Sequence, residues 1–360
     1  MSVSYQAVGW NRQKKIYDWT LFAFCFLYLT AFISLNLIFN GEITFETLLI
    51  RASSTLAVLL LHLILSIGPL TRINKNFLPL LYNRRHLGVT MFCIAAVHGV
   101  FSILQFHSLG NVNPIVSLFI SNTHYGSLYD FPFQSLGFFA LIIFMLMAVT
   151  SHDFWLKNLS PRIWKTLHMC VYLAYFLIVM HVALGAIQYE TNPVFVMILA
   201  VGAITLITLH LVAGSKEVKS DHHKYQLHKD GFFEVCAVDD IIEDRAKVFC
   251  IGKERIAIFK TSGKLFAVHN VCKHQNGPIG EGKVVDGCIT CPWHGYQYLP
   301  HNGRSPAPFK EKVHTYDLKI VEGMVWLNPT PYPEGTERPG AVIPVPEQLK
   351  NINAEHEKIY

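Results

Sequence analysis

The sequence predicts a multidomain protein, an all-α bundle of six transmembrane helices followed by a small all-β domain. Three observations carry this reading. Of the 360 residues, 51% are hydrophobic and 15% charged, where a soluble protein carries roughly 25% charged residues. The apolar excess lies before residue 215 and the charged and turn-forming residues lie after it, so composition divides the chain. Beyond Phe232 the text changes to short strand-like runs separated by glycine and turn residues.

Six apolar segments, about 17–39, 48–70, 87–106, 133–151, 165–188 and 193–214, each approach the ~20 residues that cross a bilayer core. Residues 1–16 carry Arg12, Lys14 and Lys15 ahead of the first segment, with no small-residue cleavage pattern, which predicts an uncleaved span. An even number of crossings leaves both termini on one side. Lys and Arg mark the cytoplasmic loops: Arg72, Lys75, Arg84 and Arg85 follow the second segment, and Lys157, Arg162 and Lys165 follow the fourth. The other loops carry Glu42, Glu46, Asp130 and Glu190, with Arg51 the one basic exception. The expectation is an integral protein of the cell inner membrane with cytoplasmic N- and C-termini.

Residues 1–16 then form a cytoplasmic N-terminus and 17–214 the membrane domain. The polar stretch 215–229 is a linker. The runs FFEVCAV, VFCIGK, RIAIFK, LFAVHN, TYDLKIV and MVWLN build the all-β domain over 230–330. Residues 331–360 read as a proline-rich tail with no core of its own. The net charge of +5 comes with no basic run interleaved with aromatics, which argues against a nucleic-acid partner. Of the eight cysteines, Cys25, Cys93 and Cys170 lie in apolar segments, so this is not a disulfide framework.

The stretch NVCKHQNGPIGEGKVVDGCITCPWHGYQY, 270–298, contains C-x-H, sixteen intervening residues, then C-x-x-H. Two thiolates and two imidazoles suit either tetrahedral zinc or an iron–sulfur cluster. Gly277, Pro278, Gly280 and Gly282 after the first pair, with Pro292 and Gly295 around the second, indicate two tight loops closing on a cofactor from opposite sides. A zinc knuckle would not need so close a backbone approach.

This stretch resembles a Rieske domain, and the resemblance extends over about 230–330, including HNG at 301–303 and the prolines of SPAPF at 305–309. It implies a [2Fe-2S] cluster with Cys272 and Cys291 on one iron and His274 and His294 on the other. Two imidazoles in place of two thiolates raise the cluster potential. Gly277 and Trp293 occupy the positions where respiratory Rieske proteins carry an extra disulfide, so the domain is similar to the ferredoxin type. Tyr298 stands where ferredoxin-type domains carry Phe. It is expected either to donate its hydroxyl to a ligand sulfur and raise the potential or to serve as a packed aromatic. Cys288 is expected to be a strand thiol outside the ligand set.

A histidine in a membrane span marks a functional site by default, because it must find a partner there. Candidates are His62, His86, His98, His168 and His181. Thirteen residues at ~1.5 Å each separate His168 from His181 by roughly 20 Å, so the two cannot bind one iron. CxxCH is absent, and bis-histidine b-type heme between neighbouring helices is the natural reading. His98 and His181 lie at comparable depths and form the best-matched pair. The partner of His168, either His86 or His62, stays open.

GPLTR at 68–72, RRHLGV at 84–89 leading to His98, and IWKTLHMCVYLAYFLIVMH at 163–181 resemble the ferric reductase-like transmembrane family over about 45–215. Within it, they are similar to the heme-binding membrane subunit of methionine sulfoxide reductase systems. The resemblance implies heme b at His98, His168 and His181. His62 and His86 do not match that form, which leaves one heme or two.

Larger ferric reductases carry a flavin and nicotinamide module after the last span. Here no G-x-G-x-x-G follows a strand, and a Rieske domain takes that position. The expected function is a one-electron relay from a cytoplasmic reductase or ferredoxin through the cluster to heme, toward a periplasmic protein, ferric chelate, oxygen or quinone. Three alternatives are weighed against it. A Rieske-dependent membrane oxygenase requires a two-histidine, one-carboxylate iron site. A quinol-oxidising cytochrome would run the path in reverse. A redox-regulated transporter or sensor would use the cluster as a switch.

Overall fold

The computed structural model describes residues 12–39, 42–189, 193–223, 225–252, 254–293 and 295–344. These residues fall into two compact units that part between Gly214 and Ser215, the first helical and the second β-rich.

The helical unit runs α1 (Arg12–Phe39), α2 (Phe45–Ile73), a 3-10 segment (Lys75–Asn83), α3 (Arg84–His107), α4 (Pro114–Ile120), α5 (Phe133–Thr150), α6 (Asp153–Asn158), α7 (Pro161–Met169), α8 (Val171–Tyr189) and α9 (Pro193–Asp221). Among the described residues, six stretches are long and apolar enough to cross a membrane: α1, α2, α3, α5, α7 with α8, and α9. The six predicted spans are therefore present. The fifth is interrupted at Cys170, where the chain turns between α7 and α8 and the Cys170 N–H bonds back to the Leu167 carbonyl at 3.1 Å.

Local chemistry sets the helix ends. The Thr44 hydroxyl accepts from the Thr47 N–H at the start of α2, and Asn113 accepts from the Ile115 N–H at the start of α4. Ser160 does the same for Ile163 ahead of α7, where Pro161 occupies the first turn. Along α2 the buried residues recur every four positions, Leu48, Ala52, Leu56 and Leu60 beside Ser53, Ala57, Leu61 and Leu65. Two adjacent rows on one helix bury a broad face, and α2 lies against α1 and α3 at the centre of the unit. The outer surface exposes Phe22, Phe26, Phe106, Phe139 and Phe176, as suits a bundle solvated by lipid.

The β-rich unit contains β1 (Gln226–Leu227), β2 (Phe233–Ala237), β3 (Ala246–Ile251), β4 (Glu254–Thr261), β5 (Lys264–His269), β6 (Lys283–Val285), β7 (Cys288–Thr290), β8 (Gln297–Tyr298), β9 (Thr315–Val321), β10 (Met324–Asn328) and β11 (Ala341–Val342). The larger sheet has the order β1-β2-β10-β9-β5-β4-β3, with β11 paired to β5, and the smaller sheet is β6-β7-β8. Tight turns join three of the hairpins. Ser262-Gly263, Asp286-Gly287 and Glu322-Gly323 all take positive φ, the geometry that matches the twist of paired strands.

Side chains alternate across β4. Ile256 and Ile258 enter one core with Phe249, Leu265, Val325 and Leu327. Ala257 and Phe259 face a second core with Val268, Ile279, Ile289 and Tyr298, and this second core carries the two cysteine-bearing loops. Residues 331–344 of the proline-rich stretch lie along the sheet: Thr315 donates to the Thr336 carbonyl, and the Ile343 N–H bonds to Gly263. The rest of that predicted tail lies outside the described residues.

Candidate redox sites

The first loop, 270–282, leaves β5 and returns to β6; the second, 291–296, joins β7 to β8. In the first, Cys272 N–H bonds to the Gly277 carbonyl at 2.9 Å, and Asn276, at φ 58°, bonds back to Cys272 at 2.7 Å. The Asn270 side chain accepts from the Gly280 N–H at 2.6 Å and ties the far end of the loop. In the second, Cys291 N–H bonds to Tyr296 at 2.7 Å, and Gly295, at φ 71°, bonds back to Cys291. A Cβ on Gly277 would sit 2.8 Å from Cys291 Sγ and 3.1 Å from the Trp293 ring. The loops thus touch at a glycine, as the sequence spacing anticipates.

Cys272 and Cys291 are each 1% exposed. Burial works against a thiolate at Cys272. Hydrogen bonds from Cys291, Tyr298 and backbone N–H groups outweigh it and hold the thiol below its ordinary range. Two buried sulfurs in touching loops, that of Cys272 favouring its anion, with His274 close by, fit an iron–sulfur cluster. His294 lies outside the described residues. Cys288, half-buried on β7, has its thiol pushed up by burial and then by Asp286, the opposite of a ligand's setting.

Tyr298 is fully buried. Its hydroxyl oxygen accepts from the Lys273 N–H at 3.0 Å and lies 3.3 Å from Cys272 Sγ. Burial, then the Cys272 charge, push its pKa far up, so it keeps its proton. With one lone pair committed to Lys273, that proton is available to the sulfur. Sequence reasoning reached this residue, but it missed Tyr296 and Glu311, which join across a gap no local motif announces.

In the helical unit, His98 on α3 and His181 on α8 stand with ring centroids 6.3 Å apart and planes at 77°. His98 Nδ1 lies 3.2 Å from the Ile50 carbonyl and His181 Nδ1 lies 2.8 Å from the Phe133 carbonyl. Donating Nδ1–H to a carbonyl leaves Nε2 with its lone pair, the arrangement metal-binding histidines adopt. Two metal–nitrogen bonds of ~2 Å each, with the half-width of each ring, span just this separation. Gly137 provides the clearance, since a Cβ there would lie 2.8 Å from the His181 ring.

The other three histidines occupy separate settings. His168 stacks on Trp164 at 3.8 Å, with Nδ1 near the Trp164 carbonyl and Nε2 3.3 Å from the Ser151 hydroxyl. His86 Nδ1 pairs with Asp18 at 2.9 Å. His62 Nε2 pairs with the Tyr175 hydroxyl at 3.0 Å, in space left by Gly202. The hydrogen bonds of His168 thus run to Trp164 and Ser151, that of His86 to Asp18 and that of His62 to Tyr175. Asp18, His86, Arg85 and Ser151 line a common cavity of about 500 Å³.

Residues 231–317 match the Rieske [2Fe-2S] domain. The anthranilate 1,2-dioxygenase ferredoxin subunit of Burkholderia cepacia is 37% identical over 93 residues, 26% of this chain and 86% of the relative. The chain belongs to the Rieske family. Residues 52–179 match the ferric reductase like transmembrane component, so the Rieske domain is fused to a membrane domain of that second family. The ferredoxin component of the alkene monooxygenase system of Xanthobacter autotrophicus is 29% identical, over 29% of this chain and 88% of that one. Chlorophyllide a oxygenase of Arabidopsis thaliana is 28% identical over 37% of this chain and 25% of its own. The solved ferredoxin of carbazole 1,9a-dioxygenase from Nocardioides aromaticivorans IC177 aligns with a TM-score of 0.26 at 18% identity, covering 27% of this chain and 96% of that one. The combination defines a Rieske-type membrane electron-transfer protein with a [2Fe-2S] cluster and a membrane domain of a commonly heme-binding family.

Proposed function

We propose that this Rieske protein relays single electrons from a cytoplasmic reductase or ferredoxin, by way of its cluster and intramembrane b-type heme, to an acceptor at or across the membrane. The juxtaposition of His98 and His181 carries the reading, because it supplies a bis-imidazole site with both outer nitrogens anchored. The cluster and heme supply one-electron chemistry, and the protein supplies position and potential. Cys272 and Cys291 hold one iron; His274 and His294 hold the other.

The cavity beside His86 suits a second heme. Asp18 fixes the His86 tautomer as a carboxylate–histidine pair, and His168 reaches the cavity wall through Ser151. His62 serves as a tie between α2 and α8 through Tyr175. The basic loops support the reading of an inner-membrane protein with both termini in the cytoplasm. The acceptor class is a periplasmic protein, a ferric chelate, oxygen or a quinone.

The test is spectroscopy of the purified full-length protein. A b-type heme spectrum, with the cluster reduced before the heme in rapid mixing, is expected. A preparation with no extractable porphyrin, or heme that stays oxidised when the cluster is reduced, overturns the relay. The oxygenase reading, suggested by similarity to chlorophyllide a oxygenase, predicts the no-heme outcome.

A further inference from the structure

Behind His274 stands a pair of side chains that the cysteine–histidine motif does not require. Tyr296 is 5% exposed, and its ring lies parallel to the His274 imidazole, with centroids 4.7 Å apart and 7° between planes. Phe309 closes on Tyr296 edge-on at 5.0 Å. The Tyr296 hydroxyl donates to Oε2 of Glu311, and the same oxygen accepts from the Lys310 N–H at 3.1 Å. The Glu311 carbonyl is itself held by the Ser305 N–H at 2.9 Å.

An imidazole joined to a metal through one nitrogen can turn about that bond unless neighbours set its plane, and such neighbours tune the site. A stacked ring alone can slide. A stacked phenol whose hydroxyl is fastened to a carboxylate cannot slide without breaking a charge-assisted bond. The carboxylate also has a sign: negative charge near a cluster disfavours the added electron and lowers the reduction potential. The flanking Lys310 and Lys312 are exposed, so water and salt screen them more than a carboxylate engaged by a buried tyrosine.

We infer that Tyr296 and Glu311 are positioning residues for His274. The Tyr296 ring sets the plane of the ligand imidazole, and the Glu311 carboxylate, fastened through the Tyr296 hydroxyl, holds the cluster potential down. This rests on the reading of His274 as a cluster ligand. The pair opposes Tyr298, whose hydroxyl favours the reduced cluster through Cys272.

Full-length protein carrying Glu311→Gln, Tyr296→Phe or Tyr296→Leu tests it, by redox titration followed by electron paramagnetic resonance. Glu311→Gln keeps an acceptor for the hydroxyl and removes the charge, so its midpoint rises while its g-values stay as in wild type. Tyr296→Phe keeps the stack and releases the carboxylate to solvent, and its midpoint also rises. Tyr296→Leu removes the stack and shifts or broadens the g-values. Wild-type potentials in both Glu311→Gln and Tyr296→Phe overturn the electrostatic role, and wild-type g-values in Tyr296→Leu overturn the orienting role. If Tyr296→Leu assembles no cluster, Tyr296→Met replaces it as the orientation test: displaced or broadened g-values support the role of the ring, and wild-type g-values overturn it. A wild-type protein without a Rieske-type signal sinks the ligand assignment itself, a failure distinct from unchanged variants.

Discussion

Single atoms decide the behaviour of the cysteine–histidine site. Removing the Tyr298 hydroxyl leaves Cys272 Sγ without its buried donor, so Tyr298→Phe should lower the cluster potential in a redox titration. One hydrogen bond of ~1 kcal/mol corresponds to about 40 mV for a one-electron couple. An unchanged potential would make Tyr298 a packed aromatic only. His269 provides a pH signature. Burial lowers its pKa below the ordinary 6.5, with Glu254 working the other way and His314 adding to the drop. The folded domain binds this proton more weakly than the unfolded chain, so the stabilisation is complete above pH 6.5 and is lost as pH falls through the lower folded value. Heating the full-length protein and following cluster absorbance should show a bleaching midpoint that drops as the medium is acidified below that point, and drops less in His269→Gln.

Elements hold these atoms in place through backbone constraints that a sequence announces unevenly. The Asp286-Gly287 turn sets the register of β6 with β7, and so the start of the second loop. Gly287 has φ 73°, where a side chain costs roughly 1–2 kcal/mol. Gly287→Val should lower the thermal midpoint accordingly while leaving the cluster potential unchanged, since space around the added group is open. Gly137 on α5 makes the opposite case, because its backbone is ordinary helix and its need is steric. Gly137→Ala should displace His181 and reduce heme content, measured as pyridine hemochrome per chain. Full heme content in that variant would show that His181 seats its ligand elsewhere.

At the scale of the whole molecule, two redox families share one chain, and the heme count tests how the membrane domain is loaded. The cavity lined by His86 and Ser151 predicts two hemes per chain in wild type and one in His86→Ala. Equal heme content in the two proteins would return His86 to a helix tie with Asp18. His98 and His181 could be matched from the sequence because rise per residue fixes depth along a helix, and matched depth on neighbouring spans is a one-dimensional calculation. Asp18 with His86, Tyr175 with His62 and Ser151 with His168 could not, because each depends on helix rotation and on which spans become neighbours. Tyr296 carries no local signal for a related reason: its partner Glu311 arrives from a separate loop.

The sequence by itself determined the division into an apolar and a glycine-punctuated part, the six crossings, the hairpin turns and the cysteine–histidine motif of the Rieske family. All of these are written in composition, in periods of a few residues, or in ligands gathered within one short stretch. Only tertiary structure decided that residues 331–344 lie along the sheet, and which side chain or backbone carbonyl each candidate membrane histidine meets. Those outcomes arise from contacts between residues far apart in the chain, whose azimuth and distance no local pattern encodes.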